Sequence, residues 1–284
     1  MKIDLRFLRR EDFSEIHKTF LEAYSDYIIK FQLTEKQLEN HIAQNAVRLE
    51  ESIGAFAGEK MIGVTLNGVG FWDGKETVYD AGTGVIPDFR KKGAGKAMFD
   101  FMMPIFKEKG IKQLLLEVIS VNDKAVRLYK KLGFQETRRL IFFEQKEDFV
   151  ERITENLEIR EIEKPDWNFL RAFRDRQPSW QNSNESIERM ISAKVVLGAF
   201  LHESLVGYGV VFPRSGTIVQ LGVDKKYRRC GIASNILSEI RKRVAGNTKL
   251  RFSNVDENLD GIGEFMQKCG FKEFISQFEM VRTL

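Results

Sequence analysis

The stretch VIPDFRKKGAGK, residues 85–96, runs from the end of a predicted strand through a basic turn into a predicted helix. Its two glycines, Gly93 and Gly95, allow the backbone to approach a ligand closely. The unpaired amides at the start of a helix point towards such a ligand, and the helix dipole favours an anion there. Four basic side chains add positive charge: Arg90, Lys91, Lys92 and Lys96. The stretch therefore predicts an anion-binding turn, although a tight turn with solvated lysines would have the same pattern.

The same pattern returns later in the chain. Residues 228–233, RRCGIA, match residues 90–95, RKKGAG, at an offset of 138, and the Gly-Phe pair at 133–134 returns at 270–271 with an offset of 137. The matching segments keep their order while the offset changes slowly, as expected for two diverged copies of one domain with loops of different length. We place the boundary between the copies near residue 150.

The two predicted domains cover residues 1–150 and 151–284. In the first, alternating and helical apolar patterns predict the order of strands and helices. The predicted elements are strand 3–8, helices 11–28 and 34–50, strands 52–57, 61–70 and 76–86, helix 93–109, strand 112–119, helix 122–132 and strands 134–144. Thr34 is a predicted helix cap ahead of Gln37. The second domain follows the same plan with shorter loops, so an α+β fold is expected in each copy.

Composition and charge exclude several classes of protein. The chain has 284 residues, a net charge of +4, two cysteines (Cys230 and Cys269) and three scattered histidines. So few thiols and imidazoles predict neither a zinc site nor a disulfide framework, and the charge is too small to indicate nucleic-acid binding. The start of the chain is charged, and no apolar run approaches the length of a membrane span. We expect a cytoplasmic protein with no metal, no nucleic-acid partner and no membrane partner.

Two motifs resemble those of the GNAT superfamily of N-acetyltransferases. The first is Arg-x-x-Gly-x-Gly/Ala, at residues 90–95 and again at 228–233, which holds the pyrophosphate of acetyl-CoA in that family. The second is EVISVNDKAVRLYKKLGF, residues 117–134, which joins Asn, Ala, Tyr and Gly-Phe at the family's spacing. The resemblance covers nearly the whole chain, twice. It implies two tandem GNAT folds, each a mixed, mostly antiparallel sheet flanked by helices, with a splayed strand pair for acetyl-CoA.

Acetyl-CoA is the co-substrate that this resemblance implies. The strand at Thr83 to Val85 matches the family strand that pairs with pantetheine, and the loop from Lys91 to Lys96 would contact the pyrophosphate, largely through main chain. Asn122 would bond the pantetheine arm, and it also suits a helix N-cap. The implied cofactor residues are Thr83, Gly84, Val85, Arg90, Lys91, Lys92, Gly93, Ala94, Gly95, Lys96 and Asn122.

Acetylation of an amine requires a deprotonated amine, a stabilised oxyanion and a protonated or hydrogen-bonded thiolate. Tyr129 matches the family tyrosine that faces the thioester sulfur, so it is the candidate general acid, although packing on the helix face would also explain it. Glu117 matches a catalytic Glu of the ribosomal-protein alanine N-acetyltransferases and is the candidate base, but it also fits an ordinary solvent-facing strand position. Asp80 is the alternative base, and a water chain could replace either carboxylate. The backbone amide of Val85 is the expected oxyanion donor.

The second copy has lost part of this pattern. Counting back from Gly270 puts Met266 at the position of Tyr129, and a thioether cannot protonate a thiolate. A candidate second cofactor loop remains, and it consists of Val223, Arg228, Arg229, Cys230, Gly231, Ile232 and Ala233. We expect the second domain to be structural, or to bind a ligand without catalysis.

The sequence therefore predicts an N-acetyltransferase that moves an acetyl group from acetyl-CoA to a primary amine of a small molecule or peptide, by direct attack in a ternary complex. The alternative is a non-catalytic acyl-CoA-binding or regulatory protein, which would not need Tyr129. Residues 17–49, with Tyr24, Tyr27 and Phe31, are expected to form a helical wall over the acceptor site. A homodimer is a candidate assembly, and the sequence does not specify the acceptor.

Overall fold

The computed structural model describes residues 2–28, 33–147, 154–190 and 193–284. The chain forms two compact units: unit 1 comprises Met1–Thr137 and Phe278–Leu284, and unit 2 comprises Arg138–Gln277. The predicted domain boundary near residue 150 falls among residues 148–153, which lie outside the described ranges.

Unit 1 follows the predicted order of elements. Its strands and helices are β1 (Asp4–Phe7), α1 (Phe13–Ala23), α2 (Glu35–Gln44), β2 (Ile53–Ala57), β3 (Lys60–Trp72), β4 (Lys75–Val85), α3 (Ala94–Glu108), β5 (Gln113–Ile119), α4 (Asp123–Lys131) and the start of β6 (Gln135–Gln145). Thr34 forms the predicted capping box of α2 with Gln37. Both early helices are shorter than predicted. Helix α1 ends at Ala23, whose carbonyl accepts a hydrogen bond from the Arg90 side chain, and α2 ends before Ala46, which has a positive φ.

The sheet of unit 1 has antiparallel and parallel pairs. Strands β1, β2, β3 and β4 pair antiparallel in that order. Strand β4 pairs parallel with β5, but only from Thr77–Gln113 to Asp80–Leu116. Beyond Asp80 these two strands continue without ladder pairs among the described residues, which leaves one edge of β4 free. The predicted splayed strand pair is therefore present in unit 1.

Helix α3 packs the largest apolar surface of unit 1. Met98, Phe99, Met102 and Phe106 are fully buried, and they belong to one core cluster with the strands. Burying each such side chain is worth roughly 1.5–3 kcal/mol, so the face of α3 fixes the helix on the sheet. The loop at the start of α3 is thereby held at the end of β4.

Unit 2 repeats the plan with short connecting helices. Its elements are β7 (Leu157–Glu161), α5 (Trp167–Leu170), α6 (Asn184–Arg189), β8 (Val195–Leu201), β9 (Ser204–Phe212), β10 (Thr217–Val223), α7 (Ile232–Arg243), β11 (Arg251–Asp256), α8 (Ile262–Lys268) and most of β12 (Phe271–Thr283). Strands β7, β8, β9 and β10 pair antiparallel in that order. Strand β10 pairs parallel with β11 at Thr217–Arg251 and Ile218–Phe252, so unit 2 also contains a splayed strand pair.

The last strand of each copy is where the units differ from the predicted domains. From Arg138 onwards β6 belongs to unit 2, where it pairs antiparallel with β11. From Phe278 onwards β12 belongs to unit 1, where Met280 is fully buried in the core cluster of α3. The compact units therefore divide after Thr137, and the end of the chain completes unit 1. No helix within the described ranges is both long and apolar enough to cross a membrane.

Candidate active site

The two glycine loops have the same backbone conformation. In unit 1, Lys91 and Gly93 have φ values of 62° and 88°, and in unit 2, Arg229 and Gly231 have values of 65° and 85°. Helices α3 and α7 begin directly after these glycines, and neither glycine supplies a side-chain cap. The first amides of both helices therefore keep their hydrogen-bonding capacity for a ligand.

The first arginine of each loop fastens the loop to its own unit. In unit 1, Arg90 Nε donates to the Val85 carbonyl at 3.0 Å, Nη2 donates to the Ala23 carbonyl at 2.9 Å, and Nη1 lies 2.6 Å from Asp26 Oδ2. The ion pair lowers the pKa of Asp26. In unit 2, Arg228 makes the same bond to the Val223 carbonyl at 3.1 Å. The guanidinium of Arg90, which the sequence assigned to the cofactor, is thus engaged within unit 1.

Other basic residues of the first loop have looser contacts. Lys92 Nζ lies 4.9 Å from the centre of the Phe89 ring, and Lys96 pairs with Asp100 one helical turn later. Lys91 is at the position that turns the backbone through a positive φ. Positive charge therefore surrounds the start of α3, as the sequence predicted.

Asp80 and Tyr129 meet where β4 and β5 separate. The Tyr129 hydroxyl lies 3.3 Å from Asp80 Oδ2, and both side chains are buried. Thr83 Oγ1 also donates to Asp80 Oδ2, at 2.9 Å, and the Gly82 amide donates to Oδ1 at 3.0 Å. Two residues that the sequence singled out separately thus form one polar cluster.

Local structure explains how this pair forms. Asp80 is the last residue of β4 that pairs with β5, and a bulge follows it, because Asn67 pairs with Asp80 and Leu66 with Gly82. Tyr129 lies on the buried face of α4. Its ring contacts those of Phe99 and Phe134 at centroid distances of 5.8 and 5.6 Å, which holds the hydroxyl towards the strands.

Burial sets the protonation of the pair. Desolvation raises the pKa of Asp80 to about 6, although hydrogen bonds from Thr83, Gly82 and Tyr129 oppose that rise. Desolvation, with the nearby charge of Asp80, raises the pKa of Tyr129 well above its usual value. At pH 7 Asp80 is therefore mainly a carboxylate with a pKa close to the working pH, and Tyr129 is a neutral phenol that can donate.

The other candidate base lies apart from this pair. Glu117 Oε2 accepts a hydrogen bond from the Tyr79 hydroxyl at 2.9 Å. Tyr79 and Asp80 are neighbours in one strand, so their side chains point to opposite faces of the sheet. The structure therefore brings Asp80, and not Glu117, to Tyr129.

Two tyrosines after α1 approach the free edge of β4. The Tyr24 hydroxyl donates to the Thr83 carbonyl at 3.0 Å, and Tyr27 hydrogen-bonds the Asn122 side chain. Asn122 also caps α4, because its side chain accepts from the Ala125 amide at 3.3 Å. The sequence had expected Tyr24 and Tyr27 in a wall over the acceptor. Phe31, the third aromatic of that expectation, lies outside the described residues.

His41 is a contact that the motifs did not reveal. Its Nε2 donates to the carbonyl of Ala81, the bulge residue after Asp80, at 2.7 Å, and its Nδ1 faces Asn45 Nδ2 at 3.2 Å. Burial lowers the pKa of His41, so the ring is neutral and holds the bulge. No spacing of the scattered histidines indicated this role.

Unit 2 replaces the polar cluster by apolar side chains. Ile218 pairs with Phe252 and precedes a bulge, as Asp80 pairs with Leu116 in unit 1. Met266 occupies the buried position on α8 that Tyr129 has on α4. Cys230, in the second loop, is exposed. Within the described ranges, no group of three or more His, Cys, Asp or Glu side chains is arranged to hold a metal ion.

Comparison with known families identifies both halves of the chain. Residues 10–134 match the model of the acetyltransferase (GNAT) family, and residues 193–273 match the model of an acetyltransferase (GNAT) domain. The chain belongs to the GNAT acetyltransferase family as a tandem, two-domain member. Members of this family use acetyl-CoA.

Curated relatives are ribosomal-protein acetyltransferases. The putative ribosomal protein bS18-alanine N-acetyltransferase of Bacillus subtilis is 27% identical over 134 residues, which is 47% of this chain and 82% of that protein. The ribosomal protein bS18-alanine N-acetyltransferase of Escherichia coli K12 is 36% identical over 52 residues, which is 18% of this chain and 35% of that enzyme. The match to the E. coli enzyme thus covers about a third of that enzyme's length.

Solved structures share the fold over the whole chain. An N-acetyltransferase from Sphaerobacter thermophilus has a TM-score of 0.73 at 15% identity and covers 99% of this chain and 95% of its own. A tandem GNAT protein from the clavulanic acid biosynthesis pathway also has a TM-score of 0.73, at 12% identity, and covers 99% of this chain and 98% of its own. Both likenesses concern the fold.

Proposed function

We propose that unit 1 transfers an acetyl group from acetyl-CoA to a primary amine of a small molecule or peptide, by direct attack in a ternary complex. The observation that supports this is the buried Asp80–Tyr129 pair, 3.3 Å apart, where β4 and β5 separate. Asp80 lies on β4, the strand that leads into the glycine loop, and Tyr129 lies on α4. A buried acid with a raised pKa beside a neutral phenol is suited to moving protons.

Asp80 is the proposed base. An attacking amine must first be neutral, and because a lysine-like amine has a pKa of about 10.4 and an α-amine one of about 8, its ammonium form gives one proton to solvent before the attack. With a pKa of about 6, Asp80 is ionised at pH 7 and can accept the second proton, which the nitrogen loses as it attacks the thioester carbon. Glu117 remains the alternative base, and its carboxylate accepts a hydrogen bond from Tyr79.

The oxyanion would be stabilised by the Val85 amide. The Ile86 amide donates to the Ile62 carbonyl in the β3–β4 ladder. Amides alternate in direction along an antiparallel strand, so the amide of Val85 points to the free edge of β4. A donor fixed there before the reaction stabilises developing negative charge without reorganisation.

Tyr129 is the proposed acid. As the carbon–sulfur bond breaks, its hydroxyl gives a proton to the CoA thiolate, and the phenolate takes back the proton that Asp80 received from the amine. The direct contact between the two side chains, at 3.3 Å, provides a path for this return. The reaction then releases an N-acetyl product and CoA thiol, and leaves both residues in their starting states.

The acceptor proposed for first testing is a peptide α-amine. The curated relatives are named for an alanine of a ribosomal protein, and an α-amine is easier to deprotonate than a lysine amine. A panel of N-terminal peptides, polyamines, amino acids and aminoglycosides, scored by release of free CoA, would identify it.

Tyr129→Phe is the variant that tests the proposed chemistry. With an accepted amine we expect it to lower kcat by about 100-fold, while acetyl-CoA binding measured by calorimetry stays within about twofold, because only one hydroxyl is removed. The apolar counterpart Met266→Leu in unit 2 is the control and should leave kcat unchanged. A Tyr129→Phe protein that is as fast as wild type would contradict the assignment of the acid, whereas a wild-type protein that binds acetyl-CoA and acetylates no amine of the panel would favour a non-catalytic acyl-CoA-binding role.

A further inference from the structure

Unit 2 contains a cavity of about 660 Å³ where β10 and β11 separate. It extends from the glycine loop at Gly231 to the buried side of α8 at Met266. This volume is in the usual range for small-molecule and cofactor sites. The cavity lies entirely among residues of unit 2, so it is separate from the Asp80–Tyr129 pair.

The inner part of this cavity is apolar. Leu221 and Met266, which stand where unit 1 has Thr83 and Tyr129, both line it, and further apolar lining comes from Val219, Phe252, Val255 and Phe265. In unit 1 the same places hold the polar cluster around Asp80. The exchange changes a surface suited to proton transfer into one suited to a hydrocarbon chain.

Two buried polar side chains in the wall, Gln220 and Asn254, already have hydrogen-bond partners within unit 2. Gln220 accepts from the Tyr208 hydroxyl at 2.8 Å and donates to the Asn182 carbonyl at 2.7 Å. Asn254 donates to Ser179 Oγ at 2.9 Å. These groups need no polar partner from a ligand, so the apolar side chains decide what the inner cavity accepts.

The outer part of the cavity is suited to an anion. Five arginine and lysine side chains line it against three aspartates. Arg229 is mostly exposed beside the uncapped start of α7. Arg174, at the place of Tyr24 in unit 1, lines the wall, and its Nε has no hydrogen-bond acceptor within the described residues. An anionic head at the loop and an apolar tail towards α8 would complement both ends.

We propose that the cavity of unit 2 binds an acyl-CoA whose acyl chain is longer than acetyl, with the diphosphate at the Arg229–Gly231 loop and the chain against Leu221 and Met266. The proposal rests on the proposed function in one respect, since it takes the loop conformation common to both units as a diphosphate site. No bond is made or broken, because Ile218 and Met266 can neither accept nor donate a proton. The ligand is bound and released intact.

The test uses the full chain with the loop of unit 1 impaired by Lys91→Glu. Its matched counterpart is Arg229→Glu, since Lys91 and Arg229 have the same φ in corresponding loops. Binding of acetyl-CoA and of decanoyl-CoA, the latter below its micellar concentration, is measured by calorimetry. Each buried methylene tightens binding by about fourfold, so burying about four of them makes decanoyl-CoA roughly 200-fold tighter than acetyl-CoA.

Three results support the proposal together. The Lys91→Glu protein binds one equivalent of decanoyl-CoA with that preference, added Arg229→Glu weakens binding at least about tenfold, and added Leu221→Glu removes the preference for the longer chain. Melting curves verify that the variants fold. Equal affinity for the two thioesters, or no effect of Arg229→Glu, would overturn the proposal. If Lys91→Glu alone abolishes decanoyl-CoA binding, decanoyl-CoA binds in unit 1 and the proposal for unit 2 is also wrong. The proposed function of unit 1 is judged separately: it is supported if Lys91→Glu loses acetyl transfer and Arg229→Glu does not.

Discussion

Units 1 and 2 form the same loop and place different side chains beside it. Around Gly93 and Gly231 the backbone angles agree within a few degrees, and Arg90 and Arg228 make the same bond to the carbonyl of the strand before. Behind the loop, however, unit 1 has Asp80 and Tyr129, whereas unit 2 has Ile218 and Met266. The loop and the proposed acid–base pair are therefore separable parts of one fold.

The difference also indicates what the fold itself requires. Burial raises the pKa of Asp80 from 3.8 to about 6. At neutral pH, where the side chain is ionised, this shift lowers the free energy of unfolding by about 3 kcal/mol. Unit 2 places isoleucine at the same position, fully buried, and keeps the strand pairing and the bulge. Because the fold forms without the carboxylate, we attribute Asp80 to chemistry and not to stability.

The largest effect should come from the glycine of the loop. Gly93→Val places a β-branched residue at a φ of 88°, which strains the backbone and displaces the amides at the start of α3. We expect acetyl transfer to fall about 100-fold or more. Gly231→Val introduces the same strain at 85° in unit 2 and should leave transfer unchanged. Acetyl transfer is measured by CoA release at steady state. An equal loss of transfer in both variants would show that the loop of unit 2 is also needed for transfer.

A smaller but substantial effect is expected from the end of the chain. Met280 is fully buried in the core of unit 1, so Met280→Ala should lower the free energy of unfolding by roughly 2–5 kcal/mol. Phe274, in the part of the same strand that belongs to unit 2, is 45% exposed, and Phe274→Ala should lower it by less than about 1 kcal/mol. Urea titrations would measure both. An unchanged midpoint in Met280→Ala would mean that the chain end does not complete unit 1.

The pH dependence of stability gives a still smaller effect. Because the pKa of Asp80 is raised on folding, its contribution is most favourable at low pH and is lost as the pH rises through about 6. Asp80→Asn removes this titration. We expect the stability of the variant relative to wild type to grow by roughly 1–2 kcal/mol between pH 5 and pH 8, as measured by urea unfolding at several pH values. A difference that is independent of pH would mean that Asp80 ionises normally in the folded chain.

Much of the fold could be predicted because its signals are local. The Thr34 capping box and the strand–turn–helix at Gly93 follow from residues that are neighbours in sequence, whereas the splayed strands were implied by the family resemblance. The repeat then predicted the second loop, whose conformation matches the first. Helix α1 was predicted too long, and the side chain that bonds its last carbonyl, Arg90, lies 67 residues further along the chain.

The sequence did not predict that most of β6 belongs to unit 2 and that the end of β12 belongs to unit 1, and the reason is different. Strands β6 and β12 close corresponding copies and carry similar apolar patterns, so either could complete either sheet. The strand that completes each sheet is determined by its packing in the folded core, as the burial of Met280 in the core of unit 1 illustrates. The choice of Asp80 over Glu117 was likewise left open, since strand alternation separates the two carboxylates only once the register of β4 and β5 is known. His41 had no motif at all, and its bond to Ala81 joins residues 40 positions apart.

The central claim is that Asp80 accepts the proton of the amine in unit 1. The most direct measurement is the pH dependence of kcat/KM for acetyl transfer in wild type, Asp80→Asn and Glu117→Gln, with one amine and one buffer series. We expect wild type and Glu117→Gln to share an acidic limb with an apparent pKa near that of Asp80, about 6, and Asp80→Asn to lose it together with about 100-fold in rate. An acidic limb that persists in Asp80→Asn, or that disappears in Glu117→Gln, would contradict the account.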